Sequence, residues 1–418
     1  MAAGSLVSPD EVAALVILPN LAPGGAQKQG LILARQLSES GTSTAIFLTH
    51  STTTTDSNKE LSAGMPIIFA GDVVKKIPLL ERIDNILLTI AQRASLGRAT
   101  QLLKKRLSIR ILRGLKVPPE ISRNLETNLK ISIASRAIRK TLDCSAPNLM
   151  ISFLPQSNIA TLLGSNTRPF VVVVERNDFV RQDIGAGIRR AQSLTYPMAD
   201  LVAANSKNAV RQMAKHFPKN RVVFAPNTYP APVEEALREE RSRTILVVGR
   251  LELQKRPVEV LRAFLDSGIG SRGWKLVFVG SGSLEKKLRG IADSASRPHE
   301  IELRGHVPSG QIPYHEASIT VLNSDYEGSP NVLAEAIAWG VVPLVRDSVT
   351  EAKEFIPGEK EKMLMFSDQA QLTQTLRDIE TIRGARVETM NALIRTYERR
   401  LNEYGIARRV FLDGLKQN

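Results

Sequence analysis

The sequence predicts an α/β protein built as two doubly wound domains that face each other across a cleft. Three observations lead there. The chain has 418 residues, more than one ordinary core encloses, so two domains are expected. Short Val- and Ile-rich runs, apolar nearly throughout, alternate with helical segments, as parallel strands covered on both faces do. The alternation stops after Asn227, at the Pro- and charge-rich stretch TYPAPVEEALREERSR, and then restarts. Two strand–helix series on either side of a linker imply two such sheets.

In chain order, VAALVIL (12–18) reads as the first strand. PGGAQ follows, then a helix from Gln27 to Ser40. TAIFLTH (44–50), NLMISFL (148–154), PFVVVVE (169–175), LVAANS (201–206) and RVVFAPN (221–227) continue the strand series. Residues 77–140 break the rhythm, being long, basic and helical in composition. Beyond the linker, TILVVG (244–249), WKLVFVG (274–280), IELRG (301–305), SITVLN (318–323) and VVPLV (341–345) are strands. A last helix is expected from Val387 to Tyr404. The domains are set at 1–230 and 231–399.

Composition narrows the function classes. The single cysteine, Cys144, excludes a disulfide framework and a cysteine metal cluster, and is expected to be a buried thiol. The start, MAAGSLVSPDEVAALVILPN, lacks a basic lead and carries Asp10 and Glu11 before its apolar run, so it is not expected to be a signal peptide. No run is apolar for long enough to span a membrane. The net charge of +14 is uneven: residues 1–230 carry 29 Lys+Arg against 15 Asp+Glu, whereas residues 231–418 carry 27 of each. Such asymmetry points to an anionic partner for one half.

The stretch DYEGSPNVLAEAIAWG (325–340) carries the most chemistry. Ser329 suits a helix N-cap, Pro330 the first helical position and Gly340 the left-handed stop. The helix is therefore expected from Pro330 to Trp339. Its N-terminal amides, at Asn331 and Val332, would face the carboxyl edge of the sheet and form an anion site. Glu335, inside the second turn, is placed to accept bonds from vicinal hydroxyls such as those of ribose. Glu327, in the loop before the helix, is placed to accept from a second ring beyond the phosphates. The alternative is a solvated loop acid and a surface helix acid, but Glu335 interrupts a small, apolar helix face.

A diphosphate also needs cations. GRLELQKRP (249–257) supplies Arg250 and Lys255 after the strand tip at Gly249, where ligands bind in such sheets. They would neutralise charge developing on a leaving diphosphate; Arg256 reads as a surface residue. Gly280, in VFVGSGSLEKKL (277–288), offers a third close approach to the backbone. In the first half, Gly24 and Gly25 remove side chains that would block a phosphate or sugar from the opposite wall. PGGAQ is not a GxGxxG fingerprint, so it does not indicate NAD.

EGSPNVLAEAIAWGVVPLV resembles the donor-site signature of the retaining group 1 glycosyltransferases, glycosyltransferase family 4. PGGAQ, GRLELQKRP and APN (225–227) add to the resemblance, which covers nearly the whole chain in the same order. It implies a GT-B fold of two Rossmann-like domains, with acceptor bound mainly by the first and a nucleotide-sugar, UDP-linked, mainly by the second. It also implies that the tail, 400–418, packs back on the first domain. Glu327 then contacts the donor sugar, Glu335 the ribose, Arg250 and Lys255 the diphosphate, and Gly24 and Gly25 form the phosphate-facing loop. No metal and no cofactor is expected beyond the nucleotide-sugar co-substrate, and no dedicated base need exist. MISFLPQSN and VVVVERND are similar to segments of family members that extend lipid-linked bacterial glycans. Glu175, Arg176, Asn177 and Asp178 would then line the acceptor or sugar site; a helix cap with surface charges is the alternative. Many members carry a first-domain histidine near the sugar, and of the five histidines His50 alone lies at a first-domain strand end.

From Arg93 to Lys116 there are eight basic residues and no acid. Lys104, Lys105, Arg106, Arg110 and Arg113 alternate with leucines and isoleucines, so a helix here would have one apolar and one basic stripe. It could lie on an anionic membrane, capture the acceptor's diphosphate, or pack with its basic face solvated. The expected enzyme is thus cytoplasmic and peripheral on the inner face of the cell membrane, adding a hexose or N-acetylhexosamine to a lipid-linked oligosaccharide or surface polysaccharide precursor. A nucleotide-sugar 2-epimerase shares the fold but lacks the EGSPN context. Nucleic-acid binding would suit the basic half, yet no helix-turn-helix, zinc or aromatic stacking signature accompanies it.

Overall fold

The computed structural model describes residues 12–22, 24–50, 56–75, 119–165, 169–182, 184–237 and 241–416. Among them are two all-parallel sheets. The first has the order β3-β2-β1-β4-β5-β6-β7, with β1 Ala14–Leu18, β2 Thr44–Leu48, β3 Ile67–Phe69, β4 Leu149–Phe153, β5 Phe170–Glu175, β6 Leu201–Ala204 and β7 Val222–Phe224. The second has the order β10-β9-β8-β11-β12-β13, with β8 Thr244–Val248, β9 Lys275–Val279, β10 Ile301–Leu303, β11 Ile319–Leu322, β12 Val342–Arg346 and β13 Met365–Phe366. This is the GT-B architecture. The strands are shorter than their apolar runs, because the last residues of each run turn into the loops. β3 and β13 are edge strands of three and two residues, too short to stand out in the sequence.

Each sheet is covered on both faces, which explains why its strands are apolar throughout. Neighbouring residues still alternate between two cores. Leu15 and Ile17 pack with Phe47, Met150 and Val173 on one face. Ala14, Val16 and Leu18 pack with Ile46, Ile151 and Phe153 on the other. In the second sheet Ile245 and Val247 join one core and Leu246 and Val248 the other.

The linker is packed rather than extended into solvent. Tyr229 and Ala236 are buried, Val233 N donates to Ala338 O over 2.8 Å, and Arg386 Nη2 donates to Ala236 O over 2.8 Å and to Gly340 O over 2.9 Å. The last helix runs from Arg386 to Lys416, longer than predicted. Its 31 residues reach roughly 46 Å at the α-helical rise. Met390, Leu393, Tyr397 and Tyr404 belong to the core of the second domain, while Phe411 and Leu415 belong to that of the first. At the seam the Tyr404 ring meets Phe224 at 5.4 Å and Tyr229 at 5.9 Å between centroids. Cys144 departs from expectation. It is exposed, because Thr141 and Leu142 take the inward positions of the closing helix turn. Among the described residues no helix is long and apolar enough to cross a membrane.

Phe411→Ala removes the largest anchor of the last helix on the first domain. It should cost about 3 kcal/mol and lower the thermal unfolding midpoint; an unchanged midpoint would mean that this helix end is not packed as described.

Candidate functional site

Parallel strands send their carboxyl ends the same way, and in such sheets ligands bind outside those ends, where the strand order reverses. The reversal lies at β1 in the first sheet and at β8 and β11 in the second. The loops after these strands meet in the cleft.

On the second-domain side, β11 leads into the loop that carries Glu327, and the helix Asn331–Ala338 follows. The predicted Ser329 cap is corrected: Pro330 occupies the N-cap with no side-chain cap bond, and the Ser329 hydroxyl instead contacts the Tyr229 hydroxyl. Leu333 and Ala334 bond back to Pro330 O, which leaves the amides of Asn331 and Val332 at the open end of the helix. Gly340 ends the helix region with φ at 72°; a Cβ there would lie 1.9 Å from Ala236 O. Gly280, with φ at 143°, touches the β8 tip so closely that a Cβ would lie 1.8 Å from Gly249 O.

The two glutamates are each held by a lysine. Glu327 pairs with Lys255, with side chains 13% and 18% exposed. Glu335 Oε1 accepts from Lys28 Nζ at 3.0 Å, and its Oε2 accepts from the Tyr314 hydroxyl at 2.9 Å. Burial, then the Glu335 charge, keeps that phenol protonated well above its ordinary range. Arg250 is exposed beside them, with Nη2 donating to Gln254 Oε1 at 3.4 Å. Arg256 is not the isolated surface residue expected. It takes a left-handed φ of 45° and lies between Asp325 and Glu259, bracing the loop before Glu327.

On the first-domain side the helix Gly25–Glu39 opens toward the cleft. It comes so close to the opposite helix that a Cβ on Gly25 would lie 2.9 Å from Asn331 Nδ2. A Cβ on Gly328 would lie 2.2 Å from Arg176 O, so that glycine lets the Glu327 loop rest on the first domain. Asn227 Nδ2 donates to Asn331 Oδ1 at 2.8 Å and to Ser329 O at 3.2 Å. Arg181 Nη1 reaches Asp325 O at 3.3 Å and Ser348 O at 3.2 Å.

The structure revises the acceptor-side prediction at Glu175–Asp178. Glu175 is wholly buried, because the last residue of β5 points beneath the sheet. Its Oε1 accepts from the Tyr196 hydroxyl and from Gln192 Nε2 at 3.1 Å, so it does not line the cleft. Arg176 lies over the Phe153 ring at 5.1 Å and donates to Asn227 Oδ1 at 2.6 Å; it braces the chain entering the linker. Asp178 Oδ1 accepts from the amides of Val180 at 3.0 Å and Arg181 at 2.9 Å, which makes it a turn cap. The backbone of Arg176 and Asn177 stays against the Gly328 loop. His50 is held between Thr49 Oγ1 at 2.6 Å and Gln156 Oε1 at 2.7 Å, and burial lowers its pKa. Lys104, Lys105, Arg106, Arg110 and Arg113 lie outside the described residues.

Lys28 and Tyr314 were missed from the sequence. Lys28 carried a signal: a cation in the first turn of a helix opposes the helix dipole, so something else must favour it there. Tyr314 carried none, since only the fold brings it to Glu335.

Two parallel-sheet domains with carboxylates and cations gathered at their facing carboxyl edges make up a GT-B fold. The family model described as "Glycosyl transferases group 1" matches residues 231–398, the second domain. A Campylobacter jejuni alpha-1,4-N-acetyl-D-galactosaminyltransferase is 26% identical over 271 residues, 62% of this chain and 74% of that protein. The Erwinia amylovora amylovoran biosynthesis glycosyltransferase AmsD is 26% identical over 184 residues, 42% of this chain and 51% of that protein. S. aureus TarM superposes with a TM-score of 0.67 at 9% identity, covering 96% of this chain and 99% of that one. Anabaena HepE does so at 0.66 and 12% identity, covering 97% and 100%.

The buried Glu175 yields a pH prediction. Burial raises its carboxyl pKa above the ordinary 4.5, so the folded chain holds that proton longer than the unfolded chain. Stability from this group is present below the unfolded value and is lost as pH rises through the folded one. In Glu175→Gln that loss disappears. Urea midpoints of wild type and variant, compared at pH 4.5 and at about pH 8, should shift in favour of the variant at the higher pH; a constant difference would reject the buried neutral carboxyl.

Proposed function

We propose that this chain is a glycosyltransferase that moves a hexose or N-acetylhexosamine, with retention, from a UDP-linked sugar to a lipid-linked oligosaccharide or surface polysaccharide precursor. The observation that carries this reading is the pairing of Glu327 with Lys255 and of Glu335 with Lys28 where the two sheets' carboxyl ends meet. Such a row of alternating charges suits a ligand made of ribose, diphosphate and sugar. Glu335 accepts from ribose hydroxyls. Glu327 accepts from hydroxyls of the transferred sugar. Arg250, Lys255 and the amides of Asn331 and Val332 stabilise the leaving diphosphate, the largest charge that grows during bond cleavage. Gly24, Gly25, Gly249 and Gly280 leave room for phosphate and base, and Ser329 borders the same loop. Departure of the diphosphate on the face that the acceptor attacks lets a phosphate oxygen take the acceptor's proton, so no side-chain base and no metal are required.

The donor reading is supported by the S. aureus TarM and Anabaena HepE structures, whose complexes contain UDP. The acceptor reading is supported by the Campylobacter relative, which is named for an undecaprenol-diphosphate glycan. An enzyme on such an acceptor works at a membrane surface, and the basic excess of residues 1–230 suits peripheral attachment to an anionic inner face.

Thermal-shift measurements with UDP, GDP, ADP and their sugar conjugates test the donor site, since ligands that bind the native state raise its melting temperature. UDP-sugars should shift wild type and leave Glu335→Ala near its unliganded midpoint; equal shifts in both would remove Glu335 from the site. With a transferred donor in hand, Glu327→Gln should still bind nucleotide but turn over about 100-fold slower, the scale of one lost transition-state contact. Unchanged turnover would end its assignment to the sugar.

A further inference from the structure

The donor reading leaves one group without a role. Lys28 comes from the first domain, yet its ammonium lies 3.0 Å from Glu335, on the second domain and 307 positions away in sequence. Its side chain is 29% exposed and that of Glu335 13%, so the pair sits inside the cleft rather than on its rim. Helix preference does not account for a lysine there. Its own amide bonds to Gly24 O at 3.0 Å, which places it in the first turn, where a cation opposes the dipole. The neighbouring Gly25 approaches Asn331 at the mouth of the opposing helix. Lys28 therefore projects into the gap between two helix N-termini, the region best suited to anionic oxygens.

A second feature sharpens this. Lys255, assigned to the diphosphate, is held by Glu327, assigned to the sugar. Lys28 stands in the same relation to Glu335, assigned to the ribose. One oxygen of Glu335 is already taken by Tyr314 and the other by Lys28. Each oxygen has a second lone pair, but a ribose diol crowding onto this carboxylate competes with both donors, and the long, partly exposed lysine gives way more easily than the buried phenol. The displaced ammonium then has three donors and needs an anion within reach.

We infer that Lys28 is a first-domain ligand for the donor's diphosphate, exchanged from Glu335 to the phosphate oxygens when ribose binds. The inference rests on the donor reading above and adds a residue from the opposite domain. The exchange links nucleotide binding to the relative position of the domains, because the ion pair across the cleft is replaced by a bridge through the ligand.

Calorimetric titration of the full chain tests it, using UDP, GDP and ADP and the matching nucleosides. Lys28→Met should weaken the tightest of the three diphosphates about tenfold or more, the scale of one charge-assisted hydrogen bond. It should leave the matching nucleoside's affinity unchanged or raised, because Glu335 has lost a competitor. Lys28→Arg should restore most of the diphosphate affinity. Equal diphosphate binding by Lys28→Met and wild type would overturn the inference and leave the donor site standing. An equal loss of nucleoside and diphosphate would also overturn it, showing that the lysine acts only by placing Glu335. Wild type that binds none of the three diphosphates would overturn both the donor site and this extension of it.

Discussion

Two helices point their N-termini at one another across the cleft, and that opposition of like partial charges shapes the rest of the site. The first turns at Gly25 and Asn331 come within contact distance, and each end carries roughly half a positive charge. Lys28 and Lys255 add full charges to the same space. Such an arrangement is unfavourable unless anions lie between, and the chain supplies two, Glu327 and Glu335, each bound to one lysine. The site is thus held in balance by paired carboxylates and cations.

The domains are held in register by more than this cleft. Gln29 exchanges bonds with Thr228, donating to its carbonyl at 2.9 Å and accepting from its amide at 2.7 Å. Arg176, Asn227 and Asn331 form a chain of polar contacts from the first sheet to the helix Asn331–Ala338. Behind the cleft, Phe224, Tyr229, Phe355, Tyr397 and Tyr404 make an aromatic seam drawn from both domains, the linker and the last helix. Polar contacts thus lie at the front, facing the cleft, and apolar ones at the back.

The strand series and the glycine stops were legible because each depends on neighbours in sequence. An apolar run of five residues buried on both faces looks the same wherever it lies in the sheet. The Gly340 stop needs only a left-handed backbone after a helix. The short edge strands at Ile67 and Met365 were not legible, since two or three residues carry no periodicity. Ser329 looked like a cap by type, but Tyr229 across the seam competes for its hydroxyl. Glu175 looked like a cleft residue by position at a strand end, yet the pleat directs it into a core containing Tyr196 and Gln192.

The sequence by itself determined the class: parallel α/β, two domains, and a cleft-edge segment, DYEGSPNVLAEAIAWG, with a cationic loop beside it. These follow from local hydrophobic pattern and from residue types at short spacing. Only the tertiary structure decided which charges meet. Lys28, Tyr314 and Glu335 come from separate loops and helices, and Lys28 from another domain. Their association depends on how two independently formed sheets are docked, by the linker, the aromatic seam and the helix Arg386–Lys416. Pairing at that range is a property of packing, and no spacing along the chain encodes it.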